Sequence, residues 1–267
     1  MRVAIGVEYD GAGFCGWQTQ PSRCAIQDVV EAALSEIAGE AVSVTTAGRT
    51  DTGVHALGQV LHFDTQAQRP ESAWVRGVNA LLPAAVAVRW SRAVDPDFHA
   101  RFSARARHYR YVLLNRPTRP GLMSGRVGWF HLPLDVTRMR EAAALLLGEH
   151  DFSAFRSSEC QAKSPVRRLD RLDIERRGDW IMFDLRANAF LHHMVRNLIG
   201  SLVYVGKDKH DPRWVAQVLE ARDRKLAAPT FAADGLYLSA VEYEAHWGLP
   251  VPTPDTLHDL LTDDLPS

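Results

Sequence analysis

The sequence lacks several features that define whole classes of protein. No apolar run approaches the roughly 18 residues that a membrane-spanning helix needs, and we expect no membrane span. Residues 1–5 lead directly into a strand-like pattern and show no signal-peptide architecture. There are only three cysteines, Cys15, Cys24 and Cys160, an odd number without metal-binding spacing. We therefore expect a cytoplasmic protein whose thiols are reduced.

Charges of one sign are missing from two segments. After Lys225 there is no lysine or arginine but there are seven acids, which leaves 31 basic and 25 acidic residues before that point. Between Phe98 and Leu134 there is no acid, and seven arginines fall there: Arg101, Arg105, Arg107, Arg110, Arg116, Arg119 and Arg126. Binding of a polyphosphate depends on local charge. The stretch therefore predicts a nucleic-acid-binding face despite a net charge of −1, with a merely solvated arginine face as the alternative.

Periodicity predicts alternating strands and helices along the 267 residues. In the first half we expect strands at 3–9, 42–46, 59–63 and 86–90, and helices at 25–38 and near 71–80. In the second half we expect strands at 107–114, 166–176, 180–187 and 236–240, and helices at 136–146, 190–205 and from Asp211-Pro212 onward. This order predicts an α+β protein with a mostly antiparallel sheet. We expect domains at 1–104 and 105–247, and an acidic, proline-containing tail at 248–267.

The most informative stretch is the loop at 47–56, which lies between two strand-like runs. Gly48 and Gly53 allow positive φ or a close approach of the backbone. Arg49 and Asp51 project in the same direction if the segment is extended, and could enter one cleft. A polar turn whose aspartate bonds its own backbone is the alternative.

This loop resembles the catalytic loop of the tRNA pseudouridine synthase A family, usually Gly-Arg-Thr-Asp-Ala-Gly-Val-His-Ala. Thr52 replaces the usual alanine. The resemblance implies that Asp51 is the essential carboxylate. Two more stretches match: residues 107–111 resemble a Tyr-x-Tyr strand in which Tyr109 meets the base, and residues 187–197 resemble a helix-opening motif in which Arg196 reaches the site.

The family also has an aromatic-x-Gly-Trp-Gln segment, which Phe14 and Trp17 resemble. These rings could stack on RNA bases, although aromatic residues in loops more often cover a core. We also assign Arg49 to the substrate, and Arg101, Arg105, Arg107 and Arg110 to RNA binding. A salt bridge from Asp51 to Arg49 or Arg196 is expected when substrate is absent, because a nearby arginine favours the ionised carboxylate.

The resemblance implies the fold and the function. We expect two similar α+β halves of the RRM or ferredoxin-like kind, forming a mostly antiparallel mixed sheet flanked by helices, with the active-site cleft between the halves. The implied reaction isomerises uridine to pseudouridine at positions 38, 39 and 40 of the tRNA anticodon stem-loop, within a homodimer. Nothing is oxidised or hydrolysed, so no cofactor or metal is expected. One carboxylate near C1′ suffices, through either an acylal or a glycal intermediate.

Three other interpretations are weaker. Adjacent His192 and His193 would point about 100° apart on a helix and would not easily share one metal ion. Asp51-Thr52-Gly53 also spells the aspartic protease signature, but such a site needs two aspartates and the chain has this motif once. A non-catalytic RNA-binding protein of the same fold is the remaining alternative, and the presence of Asp51, Tyr109 and Arg196 together argues against it.

Overall fold

The computed structural model describes residues 1–250, and most of the predicted acidic tail therefore lies outside the described residues. The chain divides into two compact units. Unit 1 comprises Met1–Arg105 and the segment from Leu238 onward, and unit 2 comprises Ala106–Tyr237. Within residues 1–250, no helix is long and apolar enough to cross a membrane.

The described residues of unit 1 form a sheet with two α-helices. Its elements are β1 (Arg2–Tyr9), α1 (Ile26–Ala38), β2 (Thr45–Thr46), β3 (His55–Asp64), α2 (Val78–Leu81, preceded by a π-helical turn at Ala73–Gly77), β4 (Val86–Val94) and most of β10 (Leu236–Glu242). The strand order is β4-β1-β3-β10, and β2 pairs with the outer part of β3. The pairs of β1 with β3, β1 with β4 and β2 with β3 are antiparallel. Both alternating sets of side chains in β1 are buried, so the strand is covered on both faces.

Helix α1 shows how the local sequence fixes an element. The Asp28 carboxylate accepts the backbone N–H of Ala25 at 3.0 Å, which supports the first turn. Gly39 ends the helix with φ of +74°, and its N–H donates to the carbonyl of Ser35. The predicted helix at 25–38 is thus confirmed.

Unit 2 repeats the sheet-and-helix composition. Its elements are β5 (Ala106–Asn115), β6 (Gly128–Phe130), α3 (Val136–Ala144), β7 (Gly148–Asp151), β8 (Val166–Arg177), β9 (Trp180–Ala187), α4 (Met194–Gly206) and α5 (Trp214–Ala221). The strand order is β5-β9-β8-β7, all antiparallel, and β6 pairs with β5 in parallel. The predicted α+β class with mostly antiparallel pairing is confirmed in the description of each unit.

Three predicted boundaries were wrong. The helix expected at 190–205 begins at Met194, because His193 adopts a left-handed conformation with φ of +62°. Asp211 does not cap α5 directly: its carboxylate accepts the N–H of Arg213 in a turn that precedes the helix. The strand expected at 42–46 is reduced to the two residues of β2.

Candidate active site

The Asp51 loop connects β2 to β3 within unit 1. Thr50 is 6% exposed, whereas Arg49 and Thr52 on either side of the Thr50-Asp51 pair are exposed and Asp51 is half-buried. The carbonyl of Asp51 accepts the N–H of Val54 at 3.1 Å, which closes a turn over Gly53. Gly53 has φ of +78°, a conformation that favours glycine. Thr50 therefore faces the core of the unit and supports the chain just before Asp51.

A second loop packs against this one. The N–H of Trp17 donates to the carbonyl of Thr50 at 2.9 Å. Gly16 has φ of +90°, and a Cβ there would lie 2.9 Å from the Thr50 carbonyl oxygen and 3.1 Å from the carbonyl carbon of Asp51. Only glycine allows the backbone at position 16 to approach Thr50 and Asp51 this closely. Gly16 and Trp17 therefore pack directly against the Asp51 loop.

The two aromatic residues of this second loop differ in exposure. Trp17 is 1% exposed, and its ring centroid lies 6.0 Å from that of Tyr9. Its ring belongs to the core of unit 1, the alternative that the sequence left open, and it cannot stack on a base in this conformation. Phe14 is half-buried, and its assignment to RNA binding stays a prediction.

The expectation that all thiols are reduced was wrong. Cys15 and Cys24 form a disulfide, with their Cα atoms 5.4 Å apart, and Cys160 is free. The chain doubles back between them, because the N–H of Cys15 donates to the carbonyl of Cys24 at 3.0 Å. Because three cysteines cannot all pair within one chain, the cysteine count did not indicate this disulfide. The disulfide closes the loop that contains Gly16 and Trp17.

Tyr109 lies on β5 in unit 2, opposite Leu185 of β9. The side chain is half-buried, and its ring meets that of Phe190 edge to face with centroids 5.0 Å apart. Phe190 precedes α4 and does not belong to it. Phe190 and Met194 are four residues apart, but they do not share a helix, and Phe190 packs on Tyr109 instead.

Arg196 lies in the first turn of α4 in unit 2. Its Nε–H donates to the carbonyl of Phe231 at 2.8 Å, and the N–H of Phe231 donates to the carbonyl of Arg196 at 3.2 Å. This reciprocal pair fixes the direction of the guanidinium group. Burial raises the pKa of Tyr111, Asp234 raises it further, and the positive charge of Arg196 opposes both, so Arg196 acts electrostatically on the interior of this unit.

The four arginines assigned to RNA binding have different surroundings. In unit 1, Arg101 is exposed with its guanidinium carbon 5.7 Å from the ring centroid of Phe102, and Arg105 forms an exposed ion pair with Glu244. In unit 2, Arg107 donates to the carbonyl of Asn188 at 3.0 Å.

Arg110 differs from the other three. Its side chain is 11% exposed, and its Nε donates to Asp184 of the adjacent strand at 2.8 Å. The charge of Arg110 is thus balanced within unit 2, while the exposed guanidinium of Arg101 suits a phosphate contact better.

The histidine pair at 192–193 is not helical, so the angular argument made from the sequence does not apply. Both residues precede α4, and the left-handed conformation of His193 brings the two ring centroids to 4.0 Å. The side chains are half-buried. In unit 2 the pair therefore lies between Phe190 and the helix that carries Arg196.

Two residues that the sequence reasoning missed lie beneath the Asp51 loop. Tyr9 at the end of β1 and Gln59 in β3 are 4% and 0% exposed, and both hydrogen-bond to groups of that loop. The available signal was Gln59, a polar residue directly before the apolar pair Val60-Leu61 in β3. Of the predicted residues, Asp51 and Arg49 share one loop in unit 1, and Tyr109 and Arg196 belong to unit 2.

The match to a known family covers both units. Residues 5–103 and 142–244 match the family described as tRNA pseudouridine synthase. The chain belongs to this family. The matched ranges contain Arg49, Asp51 and Arg196, and Tyr109 falls between them.

Relatives named "tRNA pseudouridine synthase A" are similar over almost their full length. The protein of Dechloromonas aromatica is 60% identical over 98% of this chain and 100% of its own. That of Thiobacillus denitrificans is 62% identical over 94% of this chain and 96% of its own. That of Methylobacillus flagellatus is 59% identical over the same share of each chain.

Proposed function

We propose that this chain isomerises uridine to pseudouridine in tRNA, with the Asp51 carboxylate as its catalytic nucleophile. Membership of the tRNA pseudouridine synthase family supports the reaction. The choice of nucleophile depends on one observation: Asp51 is the one carboxylate of the 47–56 loop, and the backbone on both sides of it is fixed by hydrogen bonds. A prepositioned carboxylate is what attack at a sugar carbon requires.

The reaction balances without a co-reactant. Attack of the carboxylate on C1′ expels the uracil, which keeps the electron pair of the C1′–N1 bond. After the base rotates, C5 attacks C1′ and releases the carboxylate. Loss of the C5 proton and protonation of N1 restore the aromatic base. In the alternative glycal route, the carboxylate removes the 2′ proton as the uracil leaves and returns it to C2′ when C5 bonds to C1′, so both routes use the same group.

The remaining site residues take supporting roles. Tyr109, half-buried against Phe190, stacks on the uracil and accepts the C5 proton. Arg49 and Arg196 contact the nucleotide. If Tyr109→Phe keeps full turnover, the proton-acceptor role is wrong while stacking survives.

The test compares Asp51→Ala and Asp51→Asn with the wild type on unmodified tRNA. We expect no pseudouridine from either variant and tRNA affinity within about twofold of the wild type, because a missing nucleophile removes the chemical step without removing binding contacts. Asp64→Asn is the matched control, since it removes an exposed carboxylate of unit 1 that pairs with Arg2 at 2.8 Å.

The outcomes separate the candidate functions. Pseudouridine formation by Asp51→Asn at the wild-type rate would eliminate Asp51 as the nucleophile. Absence of turnover by the wild type, with tRNA binding intact, would favour a non-catalytic RNA-binding protein. Equal losses in Asp51→Asn and Asp64→Asn would indicate a general effect of charge on the unit.

We propose that the target uridines lie at positions 38, 39 and 40 of the anticodon stem-loop and must be flipped out of the stem to react. Replacing each uridine in turn with cytidine should remove one pseudouridine per transcript. Exposed Arg101 contacts phosphate in this proposal, so Arg101→Ala should reduce the salt dependence of tRNA binding by about one unit of slope, with Arg110→Ala as the comparison. Unchanged slopes would refute the phosphate contact.

We further propose a cytoplasmic homodimer. Mass measurement in solution by light scattering, at micromolar concentration and with and without tRNA, tests the assembly. A mass of 29.8 kDa without tRNA, and of one chain plus one tRNA in its presence, would contradict it.

A further inference from the structure

We infer that Tyr9, Thr50 and Gln59 are positioning residues that fix the Asp51 loop through a buried chain of hydrogen bonds. The inference rests on the proposed role of Asp51. It adds three side chains that do not contact the reacting atoms but determine where the carboxylate stands. All three belong to unit 1, and they are 4%, 6% and 0% exposed, respectively.

The chain of contacts begins at Gly48 and ends at Thr50, on either side of Arg49. The Nε2 of Gln59 donates to the carbonyl of Gly48 at 2.7 Å and to the phenol oxygen of Tyr9 at 3.4 Å. The phenol oxygen lies 2.8 Å from Oγ1 of Thr50. Hydrogen bonds therefore hold the loop at two residues, Gly48 and Thr50, and Thr50 is adjacent to Asp51.

The chemistry of these groups sets the direction of both hydrogen bonds that the Gln59 nitrogen makes. The Gly48 carbonyl only accepts, so the amide nitrogen of Gln59 must face it. The same nitrogen cannot accept, so the Tyr9 oxygen accepts from Gln59, while either hydroxyl can donate in the contact between Tyr9 and Thr50. Burial raises the pKa of Tyr9 to about 12, which keeps the phenol a neutral donor near neutral pH.

A register shift in the sheet lies next to these hydrogen bonds. Between β1 and β3 the pairing shifts register from Val7–Gln59 to Tyr9–Ala56. Bulges of this kind re-aim side chains and occur next to active sites. Here the shift falls at the two residues whose side chains meet beneath the loop.

The backbone of Thr50 is held as well as its side chain. Its carbonyl accepts the N–H of Trp17, and the residue that follows it closes the turn to Val54. With both parts of Thr50 fixed, Asp51 has little freedom left at its N-terminal side. Loss of the hydrogen bonds among Gln59, Tyr9 and Thr50 would let the Asp51 carboxylate occupy a wider range of positions. A displacement of about 1 Å can lower the reaction rate by about 100-fold.

The test measures single-turnover rates on tRNA separately from tRNA affinity. We expect Tyr9→Phe and Thr50→Val to lower the rate constant by about 10- to 100-fold and to leave the dissociation constant within about twofold. Thr50→Ser keeps the hydroxyl and should retain a rate within about threefold of the wild type. Gln59→Leu should resemble Tyr9→Phe.

Tyr243→Phe is the matched control. It removes a tyrosine hydroxyl of unit 1 that donates to the carbonyl of Ala100 at 2.6 Å, away from the Asp51 loop. All variants are measured well below their unfolding temperatures, so that loss of folded protein does not imitate loss of rate. If Tyr9→Phe and Thr50→Val slow the reaction no more than Tyr243→Phe does, or if Thr50→Ser is as slow as Thr50→Val, the inference is wrong.

Asp51→Ala separates this failure from failure of the proposed function. If Asp51→Ala is inactive while Tyr9→Phe and Thr50→Val keep the wild-type rate, only the positioning role is overturned. An active Asp51→Ala overturns the nucleophile assignment on which the positioning role depends.

Discussion

The two units support their functional residues in different ways. In unit 1, the hydrogen bonds described around Asp51 involve its own backbone and that of its neighbour Thr50, together with side chains that come from β1 and β3. In unit 2, the functional side chains themselves make the contacts: Arg196 donates to a backbone carbonyl, and Tyr109 packs on Phe190. Changes beneath the loop should therefore affect the reaction indirectly, through the position of Asp51 and the stability of unit 1, whereas changes in unit 2 should affect the reaction directly.

The largest expected effect tests the core beneath the loop. Trp17→Ala should lower the free energy of unfolding by about 3–5 kcal/mol, because a fully buried aromatic ring leaves a cavity. Phe14→Ala, at a half-buried position three residues earlier, should cost about 1 kcal/mol or less. Urea unfolding followed by circular dichroism measures both, and equal losses would contradict the difference in burial.

The next effect concerns the chemistry of unit 2. Arg196→Ala and Arg196→Lys should each lower kcat/KM by on the order of 100-fold, because lysine keeps the charge but lacks the planar guanidinium that donates to Phe231. Arg140→Ala is the matched control: its Nε donates to the carbonyl of Ile174 at 2.7 Å in the same unit. Full activity of Arg196→Lys would show that charge alone suffices.

The disulfide offers an intermediate effect on unit 1. Cys15→Ser and Cys24→Ser should each lower the free energy of unfolding by about 2–3 kcal/mol, because the bond closes a loop with a sequence separation of 9. Dithiothreitol should destabilise the wild type equally and the Cys15→Ser variant not at all. Cys160→Ser is the control, and titration of three free thiols in the denatured, unreduced protein would contradict the bond.

The smallest effect is a dependence on pH within unit 1. Burial, Arg2 and His99 lower the pKa of His62 to about 4, and its Nδ1 accepts the N–H of Ala100 at 3.1 Å. The unfolded histidine has a pKa of about 6.5, so the unfolded state binds more protons between these values. Stability should therefore fall as the pH drops from about 6.5 to about 4, by about 1 kcal/mol at pH 5.5.

Comparison of urea midpoints at pH 7 and pH 5.5 measures this dependence. His62→Gln removes the titrating group and should flatten the difference between the two values. A wild type and a variant with the same pH dependence would show that other groups dominate.

The sequence was sufficient for most strands and helices because their apolar periodicity is strong, as in α1 and in the hairpin of β8 and β9. It failed where backbone conformation overrides periodicity. Helix α4 begins at Met194, four residues after the predicted start at 190, because His193 has a positive φ, which no apolar pattern encodes.

The candidate site divides in a similar way. The loop with Asp51 was evident from its glycines and charges, since these residue types concentrate in a short stretch. Tyr9 and Gln59 were not evident, because they are separated by 50 residues and meet only through the pairing of β1 with β3. Trp17 and the Cys15–Cys24 bond required knowledge of which groups are buried and which approach each other.

Unit 1 contains Met1–Arg105 and the segment from Leu238 onward, with unit 2 inserted between them. During synthesis, unit 2 leaves the ribosome before the part of β10 that belongs to unit 1, so unit 2 can fold while β3 still lacks β10. Until β10 arrives, the part of that side of β3 that does not pair with β2 is an open edge capable of pairing with other chains. Assembly of the unit that carries Asp51 is thus deferred until unit 2 has been synthesised, and a product truncated before β10 would have an incomplete sheet in unit 1.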